Sequence, residues 1–269
     1  MVQHNDSFRF KYFLSIEKQL INDIPALNDL FSLLFERSFG VALTDSRRIE
    51  FDLINSAKQT AVQMLMARNY LNIFTVEKPS TYIEQYVNFF VYDFISRLNT
   101  GLDTIALLIN EIMRMKLHQA ECSFKNNKYL KSLARRSKDS DQEISFHSIV
   151  DKNRQDWYLH FFEIRNLVIH RAGFSYLQNP IQNYPIQIQI ELPKTAYDQP
   201  IPVELTDPLK WFKPAQEDYP ILLKFLLLIN SNAVTGFLTV NPLTFLDELW
   251  CKYSVFSQEL FFQIIKKMA

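Results

Sequence analysis

Arginine and histidine side chains lie five residues apart in the segment EIRNLVIHRAG, residues 163–173. A guanidinium is permanently charged and can donate two parallel hydrogen bonds, so Arg165 can hold a carboxylate or a bound anion. An imidazole exchanges a proton near neutral pH, which suits His170 to acid–base chemistry. Asn166 stands four residues before His170 on one helix face, where its amide can fix the tautomer and orientation of the imidazole. These residue types could form an anion-binding site that transfers a proton.

A helix over residues 157–172 places Arg165 among apolar side chains. One arc of the helical wheel holds Trp157, Phe161, Ile164, Leu167, Val168 and Ala172, and Arg165 falls within it. The remaining polar strip holds Glu163, Asn166 and His170. A buried guanidinium is costly unless a carboxylate, a bound anion or solvent at a groove compensates it. Two interpretations follow. Either Arg165 lines a functional groove, or Arg165 forms a structural ion pair with a carboxylate and His170 is a solvated surface residue.

The stretch RNLVIH resembles the arginine-(four to six residues)-histidine motif of the HEPN superfamily, including the asparagine that often follows the arginine. Upstream, FISRLNTGLDTIALLIN over residues 94–110 looks like the long helix of some bacterial members, in which an acidic residue faces the motif. Asp103 occupies that place. The resemblance covers roughly residues 85–173.

The resemblance implies a metal-independent endoribonuclease without cofactor, whose site forms at the cleft of a homodimer. The implied catalytic residues are Arg165, Asn166, His170 and Asp103. His170 would move the proton and Arg165 would stabilise the charged transition state, with Asp103 holding Arg165 in place. RNA products would end in a 2′,3′-cyclic phosphate, and DNA would resist because it lacks the 2′-hydroxyl. Many members belong to toxin–antitoxin systems, so an antitoxin protein is an implied partner.

Two features depart from that pattern, and one competes with it. The tyrosine that nucleotidyltransferase partners modify, two residues after the histidine, is replaced by Ala172, which puts regulation by that route in doubt. The last hundred or so residues exceed a minimal HEPN bundle. A second pair, Arg154 and His160 in RQDWYLH, fits the looser spacing but lacks the asparagine. A catalytically silent module that binds RNA or a protein is therefore the alternative function.

A second candidate region is the stretch KNNKYLKSLARRSK, residues 125–138, which has six basic residues and no acid. Its helical spacing places Lys125, Lys128, Lys131 and Arg135 where they could follow an RNA backbone. The competing interpretation is an ordinary solvated helix face.

Composition argues against several other classes. Only four glycines occur, and no phosphate-binding glycine loop, GxSxG or HExxH motif is present. His118 and Cys122 have the spacing of half a zinc site, but no second ligand pair accompanies them, so we expect no metal. Lysine plus arginine equals aspartate plus glutamate at 29 each, so an RNA site must be a local patch. Two isolated cysteines and a polar start without a signal peptide lead us to expect a cytoplasmic protein that does not enter a membrane.

Hydrophobic periodicity predicts an all-α fold, an up-and-down helical bundle that the resemblance makes HEPN-like. The predicted helical segments are 25–39, 45–72, 82–119, 152–172, 215–230 and 242–269. Thr44 or Asp45 is the expected cap of the second segment, and SKDSDQE over 137–143 is an expected loop. Alternation in IQIQIEL predicts a small β-hairpin, closed by PIPVEL, near residues 186–205. We expect one domain over 1–269, comprising N-terminal helices 8–76, a HEPN-like core 82–173 and a β/helical extension 174–269.

Overall fold

The computed structural model describes residues 3–38, 45–73, 83–138, 146–159, 161–162, 165, 175–177, 187–191, 232–234, 237–240 and 242–268. The chain forms two compact units, each assembled from separated stretches. Unit 1 comprises residues 1–66, 97–154 and 250–269, and unit 2 comprises residues 67–96 and 155–249. The single domain and its three parts, as drawn from the sequence, remain a prediction.

Seven α-helices account for most of the described residues, which confirms the predicted all-α class. They are α1 (Gln3–Asp23), α2 (Pro25–Ser38), α3 (Asp45–Asn72), α4 (Ile83–Ile112), α5 (Asn127–Lys138), α6 (Phe146–Asn153) and α7 (Pro242–Met268). Helices α2, α3 and α7 match their predicted segments to within one residue at each end. Helix α3 begins at Asp45, an acid in the first turn, where the helix dipole favours negative charge. None of the described helices is both long and apolar enough to cross a bilayer.

The core of unit 1 packs α4 and α7 closely together. A Cβ atom placed on Gly101 of α4 would come within 2.9 Å of the Tyr253 hydroxyl of α7. Tyr253 is fully buried, and burial raises the pKa of its phenol to about 12. Phe124 packs edge-on against Phe256 of α7, with ring centroids 5.3 Å apart. The missing side chain at Gly101 therefore allows the two helices to approach.

Helices α1 and α2 are tied to α7 through hydrogen bonds that also lie in unit 1. Trp250 Nε1 donates to an Asp23 carboxylate oxygen at 2.7 Å, next to the junction of α1 and α2. The backbone N–H of Ala26 donates to Gln258 Oε1 at 2.8 Å, so a side chain of α7 caps the first turn of α2.

Helix α4 ends seven residues earlier than predicted. The prediction extended it to residue 119, whereas the helix stops at Ile112, and Arg114 and Lys116 adopt the left-handed backbone conformation with φ of 49° and 57°. The buried Asn110 fixes the chain beyond the end, because its Oδ1 accepts from the Leu117 N–H at 3.1 Å and its Nδ2 donates to the Leu117 carbonyl at 3.4 Å. No glycine or proline occurs between Ile112 and residue 119, so the apolar periodicity predicted that the helix would continue to residue 119.

Unit 2 contains a four-stranded antiparallel sheet with strand order β1-β2-β4-β3. The strands are β1 (Ser175–Leu177), β2 (Gln187–Glu191), β3 (Asn232–Val234) and β4 (Phe237–Val240). Elsewhere in unit 2, Arg68 makes two hydrogen bonds to the carboxylate of Asp247, at 2.6 and 3.3 Å.

The strand predicted from IQIQIEL is confirmed as β2, but its neighbours differ from the predicted hairpin. Strand β2 pairs with β1 through Ile188↔Tyr176 and with β4 through Ile188↔Val240, so both of its edges are occupied at that residue. The predicted partner PIPVEL and the predicted helix 215–230 lie outside the described residues. Strands β1, β3 and β4 were not predicted, because their lengths of three or four residues are too short for a clear alternation.

Candidate functional site

Arg165 is a helical residue of unit 2 whose side chain is half-buried. Its Nε atom is buried, and its guanidinium carbon lies 5.9 Å from the centroid of the Phe162 ring. A guanidinium at this distance from an aromatic face gains a cation–π attraction. The partial burial agrees with the position within the apolar arc that the helical wheel predicted.

A turn of π-helix, Arg154–Tyr158, ends seven residues before Arg165. A π-turn bonds residues five apart and so adds a residue to the turn, and such turns are frequent at functional sites. Trp157 and Tyr158 of the turn are buried, as is Phe161 three residues after it. The Trp157 ring centroid lies 6.2 Å from that of Tyr158 and 6.3 Å from that of Phe161. Trp157 and Phe161, which the helical wheel placed on the apolar arc, are therefore buried, although the helix is not regular there.

Of the other three predicted catalytic residues, the structure describes only Asp103. Asp103 belongs to α4 in unit 1, is half-buried, and accepts a hydrogen bond from Asn99 Nδ2 at 3.0 Å. Asn166 and His170 lie outside the described residues, as does His160 of the competing pair. The ion pair of Asp103 with Arg165, and the convergence of Arg165 with His170, remain predictions.

Helix α5 presents the predicted basic residues on its exposed face. Lys128, Lys131 and Arg135 are exposed, and Lys125 is exposed just before the helix. The opposite face is buried through Tyr129 and Leu133. This separation places the cations of α5 in solvent, where a phosphate backbone could reach them.

Tyr129 is a structural residue and cannot stack on a nucleobase in this conformation. It is fully buried, its hydroxyl donates to the Ala106 carbonyl at 3.0 Å, and burial raises its pKa well above the ordinary range. Its ring packs edge-on against Phe124 with centroids 5.8 Å apart. Tyr129 therefore anchors the basic helix to α4.

Lys128, one of the predicted RNA contacts, has a protein partner. Lys128 Nζ forms an ion pair with a Glu121 carboxylate oxygen at 2.5 Å. The hydrogen bond from Lys128, followed by that from the His118 backbone, lowers the pKa of Glu121. Lys128 is therefore less available to a phosphate than Lys131 or Arg135.

Three further cations of unit 1 are exposed and were not predicted as RNA contacts. Arg114, Lys116 and Arg136 are exposed, and Arg136 Nη2 donates to the Arg114 carbonyl at 3.2 Å, which joins the end of α4 to α5. We call the following set the cationic surface of unit 1: Arg114, Lys116, Lys125, Lys131, Arg135 and Arg136. Arg114 and Lys116 were missed because the predicted helix continued through them. The signal that could have found them is the charge count, since Glu121 is the only acid among residues 114–138.

His118 and Cys122 have local structural roles. The His118 Nδ1 accepts from the Ala120 N–H at 3.3 Å and so caps a short 3₁₀ turn, Gln119–Glu121. The Cys122 thiol donates to the His118 carbonyl at 3.5 Å, and burial raises the pKa of that thiol to about 11. A thiol that stays protonated at neutral pH is a poor nucleophile and a poor metal ligand. Within the described ranges, no three histidine, cysteine or carboxylate side chains are grouped as metal ligands would be.

No model of a known protein family, no curated protein and no solved structure matches this chain.

Proposed function

We propose that the protein is a HEPN-type, metal-independent endoribonuclease. The observation that carries the proposal is the half-buried Arg165, whose Nε is buried and whose guanidinium lies over Phe162 within the RNLVIH segment. Packing against Phe162 restrains this guanidinium, and a restrained guanidinium suits charge stabilisation at a reacting phosphate. The π-turn at Arg154–Tyr158, which ends seven residues before Arg165, is a second feature that supports a functional helix.

In the proposed reaction the 2′-hydroxyl of one nucleotide attacks the adjacent phosphorus, and the bond to the 5′-oxygen of the next nucleotide breaks. His170 takes the hydroxyl proton or returns one to the leaving oxygen. Arg165 donates hydrogen bonds to the phosphoryl oxygens, Asn166 orients the imidazole, and Asp103 holds the guanidinium. The products are a 2′,3′-cyclic phosphate and a free 5′-hydroxyl.

The cationic surface of unit 1 supports RNA as the substrate class. Its six exposed lysine and arginine residues belong to a chain of zero net charge, so the basic character is local rather than general. Phosphate contacts of this kind position a nucleic acid without reading its sequence. Further parts of the proposal are a homodimer with a shared cleft, a protein antitoxin and a cytoplasmic location; the free thiols of Cys122 and Cys251 support only the last of these.

A catalytically silent RNA-binding module is the second candidate function. The observation that favours it is that the cationic surface lies on α5 and at the end of α4, on residues other than Arg165 and its helix. Such a surface can bind RNA whether or not a cleaving site exists.

The test incubates the full chain with single-stranded RNA in EDTA and identifies the new 3′ ends. The expected result is cleavage to 2′,3′-cyclic phosphates, lost in His170→Ala and retained in the matched control His160→Ala. A DNA strand of the same sequence should remain intact. RNA that is bound but uncut would instead establish the silent module, and loss of activity in His160→Ala alone would move the site to the competing pair.

A further inference from the structure

A cleft of about 410 Å³ opens among helix ends of unit 1. Binding pockets for small molecules have volumes of roughly 300–1,000 Å³, so the cleft has room for a small ligand. Its lining residues are Glu50 near the start of α3, Glu111, Ile112, Met113 and Arg114 at the end of α4, Arg136 in α5, and Lys267 and Met268 at the end of α7. The catalytic residues proposed above do not line it.

The two carboxylates of the cleft, Glu50 and Glu111, are half-buried. Burial raises the pKa of Glu50, Arg47 lowers it, Glu111 raises it and Arg114 lowers it, with a net increase. The surrounding cations therefore leave the Glu50 carboxylate incompletely compensated. A positively charged or hydrogen-bond-donating group placed against Glu50 and Glu111 would stabilise the charged form of both carboxylates.

The three cations of the cleft, Arg114, Arg136 and Lys267, are exposed. The last carbonyls of α4 do not require them, because the backbone N–H groups of Met113, Arg114 and Met115 donate to the carbonyls of Ile109, Glu111 and Asn110. Arg136 donates to the Arg114 carbonyl with Nη2, and its guanidinium has four other N–H donors. These cations can therefore receive an anionic group.

We propose that this cleft binds a small zwitterion with an apolar side chain, of the α-amino acid class. A simple anion would be repelled by the two carboxylates and a simple cation by the three basic side chains, whereas a zwitterion satisfies both groups. Its ammonium lies against Glu50 and Glu111, and its carboxylate faces Arg114 and Lys267. The apolar side chain packs on Ile112, Met113 and Met268, the cleft's apolar lining. This proposal does not rest on the ribonuclease activity, although Arg114 and Arg136 of the cleft also belong to the cationic surface of unit 1.

Calorimetric titration of the full chain with three matched probes tests the proposal. L-Leucine carries both charges, 3-methylbutylamine keeps only the ammonium, and 4-methylpentanoate keeps only the carboxylate. L-Leucine should bind, and each single-charge probe should bind about tenfold more weakly or worse, because it loses one set of charge-assisted hydrogen bonds. No heat with L-leucine at millimolar concentration, or equal affinity for all three probes, would overturn the proposal.

Two variants and a control locate the binding in this cleft. Glu50→Gln and Arg114→Asn should each weaken L-leucine binding; asparagine tolerates the φ of 49° at position 114, so the backbone there is retained. Lys131→Gln, on the exposed face of α5 and outside the cleft lining, should leave the affinity unchanged. L-Leucine binding that is unchanged in both variants would place the ligand elsewhere and sink the inference. Titration with L-leucyl-L-leucine separates a free amino acid from a peptide as the natural ligand, according to which of the two binds more tightly.

Discussion

Each unit carries cations that we propose to contact RNA, and these cations differ in how they are packed. In unit 1, Lys131 and Arg135 extend into solvent from a helix whose other face is buried by Tyr129 and Leu133. In unit 2, the guanidinium of Arg165 is half-buried, its Nε is buried, and an aromatic ring lies 5.9 Å away. The exposed cations can be replaced one at a time at little cost to folding, whereas the half-buried one has a fixed position.

This contrast suggests different roles for the two kinds of cation in the proposed function: the exposed cations bind RNA, and Arg165 takes part in the reaction. Exposed lysine and arginine side chains neutralise phosphates additively and without a defined geometry. A guanidinium restrained by packing can instead keep its hydrogen-bond fork aimed at one phosphate, which is the requirement for transition-state stabilisation. We therefore expect substitutions on the cationic surface of unit 1 to change RNA affinity and substitution at Arg165 to change the rate.

The largest effect is expected from Arg165→Leu. The variant keeps an apolar side chain beside Phe162 but removes the charge, and kcat/KM for RNA should fall by about 100-fold or more. RNA affinity, measured by filter binding, should change little. Full cleavage by the leucine variant would show that Arg165 takes no part in the reaction, and a lowered melting temperature would then assign it a structural role.

The next effect concerns the scaffold of unit 1 and not RNA. Gly101→Ala introduces a Cβ 2.9 Å from the Tyr253 hydroxyl, and the strain should cost about 1–3 kcal/mol of unfolding free energy in urea. The double variant Gly101→Ala/Tyr253→Phe removes that hydroxyl oxygen and should recover part of the loss. No recovery would mean that the helix interface adjusts elsewhere, and Gly101 would then not set the approach of α4 to α7.

Smaller effects are expected on the cationic surface. The slope of log affinity for single-stranded RNA against log salt should decrease by about 0.7 in Lys131→Gln and again by about 0.7 when Arg135→Gln is added. Lys128→Gln should reduce the slope less, because Lys128 is already paired with Glu121. Equal reductions from all three substitutions would show that the Glu121 pair opens when RNA binds.

The sequence predicted this exposed face well because the signal there is local. Helical spacing places Lys128, Lys131 and Arg135 on one side whatever the partners of the helix are. It did not predict that Glu121 pairs with Lys128, since that contact depends on the short turn before α5. The sequence also did not predict the early end of α4, because that end depends on hydrogen bonds from the Asn110 side chain to the Leu117 backbone.

For the proposed active site, the sequence indicated residue types and a helix face but not their assembly. Apolar periodicity correctly predicted the burial of Trp157 and Phe161 and the partial burial of Arg165. The cleft that contains Glu50 and Lys267 could not be predicted, because it joins residues more than two hundred positions apart through packing alone. The spacing of residues along the chain does not show which distant residues meet in the folded protein.

The smallest expected effect is a pH dependence of stability at Glu50. Its pKa in the folded protein is raised above the ordinary value of 4.5, so the folded state binds the proton more tightly than the unfolded state does. Stability should therefore decrease as pH rises from 4.5 through the raised pKa, and Glu50→Gln should remove that part of the decrease. Chemical denaturation at several pH values measures it. A wild-type curve that coincides with that of the glutamine variant would show that the folded protein leaves Glu50 unperturbed.

The most direct test of the proposed catalytic site is a double-mutant cycle on RNA cleavage. Rates are measured for the wild type, Arg165→Leu, His170→Ala and the double variant. If both side chains act on one phosphate, the double variant should be scarcely slower than the more damaged single variant, because groups that work as a unit are far from additive. Independent multiplication of the two losses would contradict a shared site at Arg165 and His170.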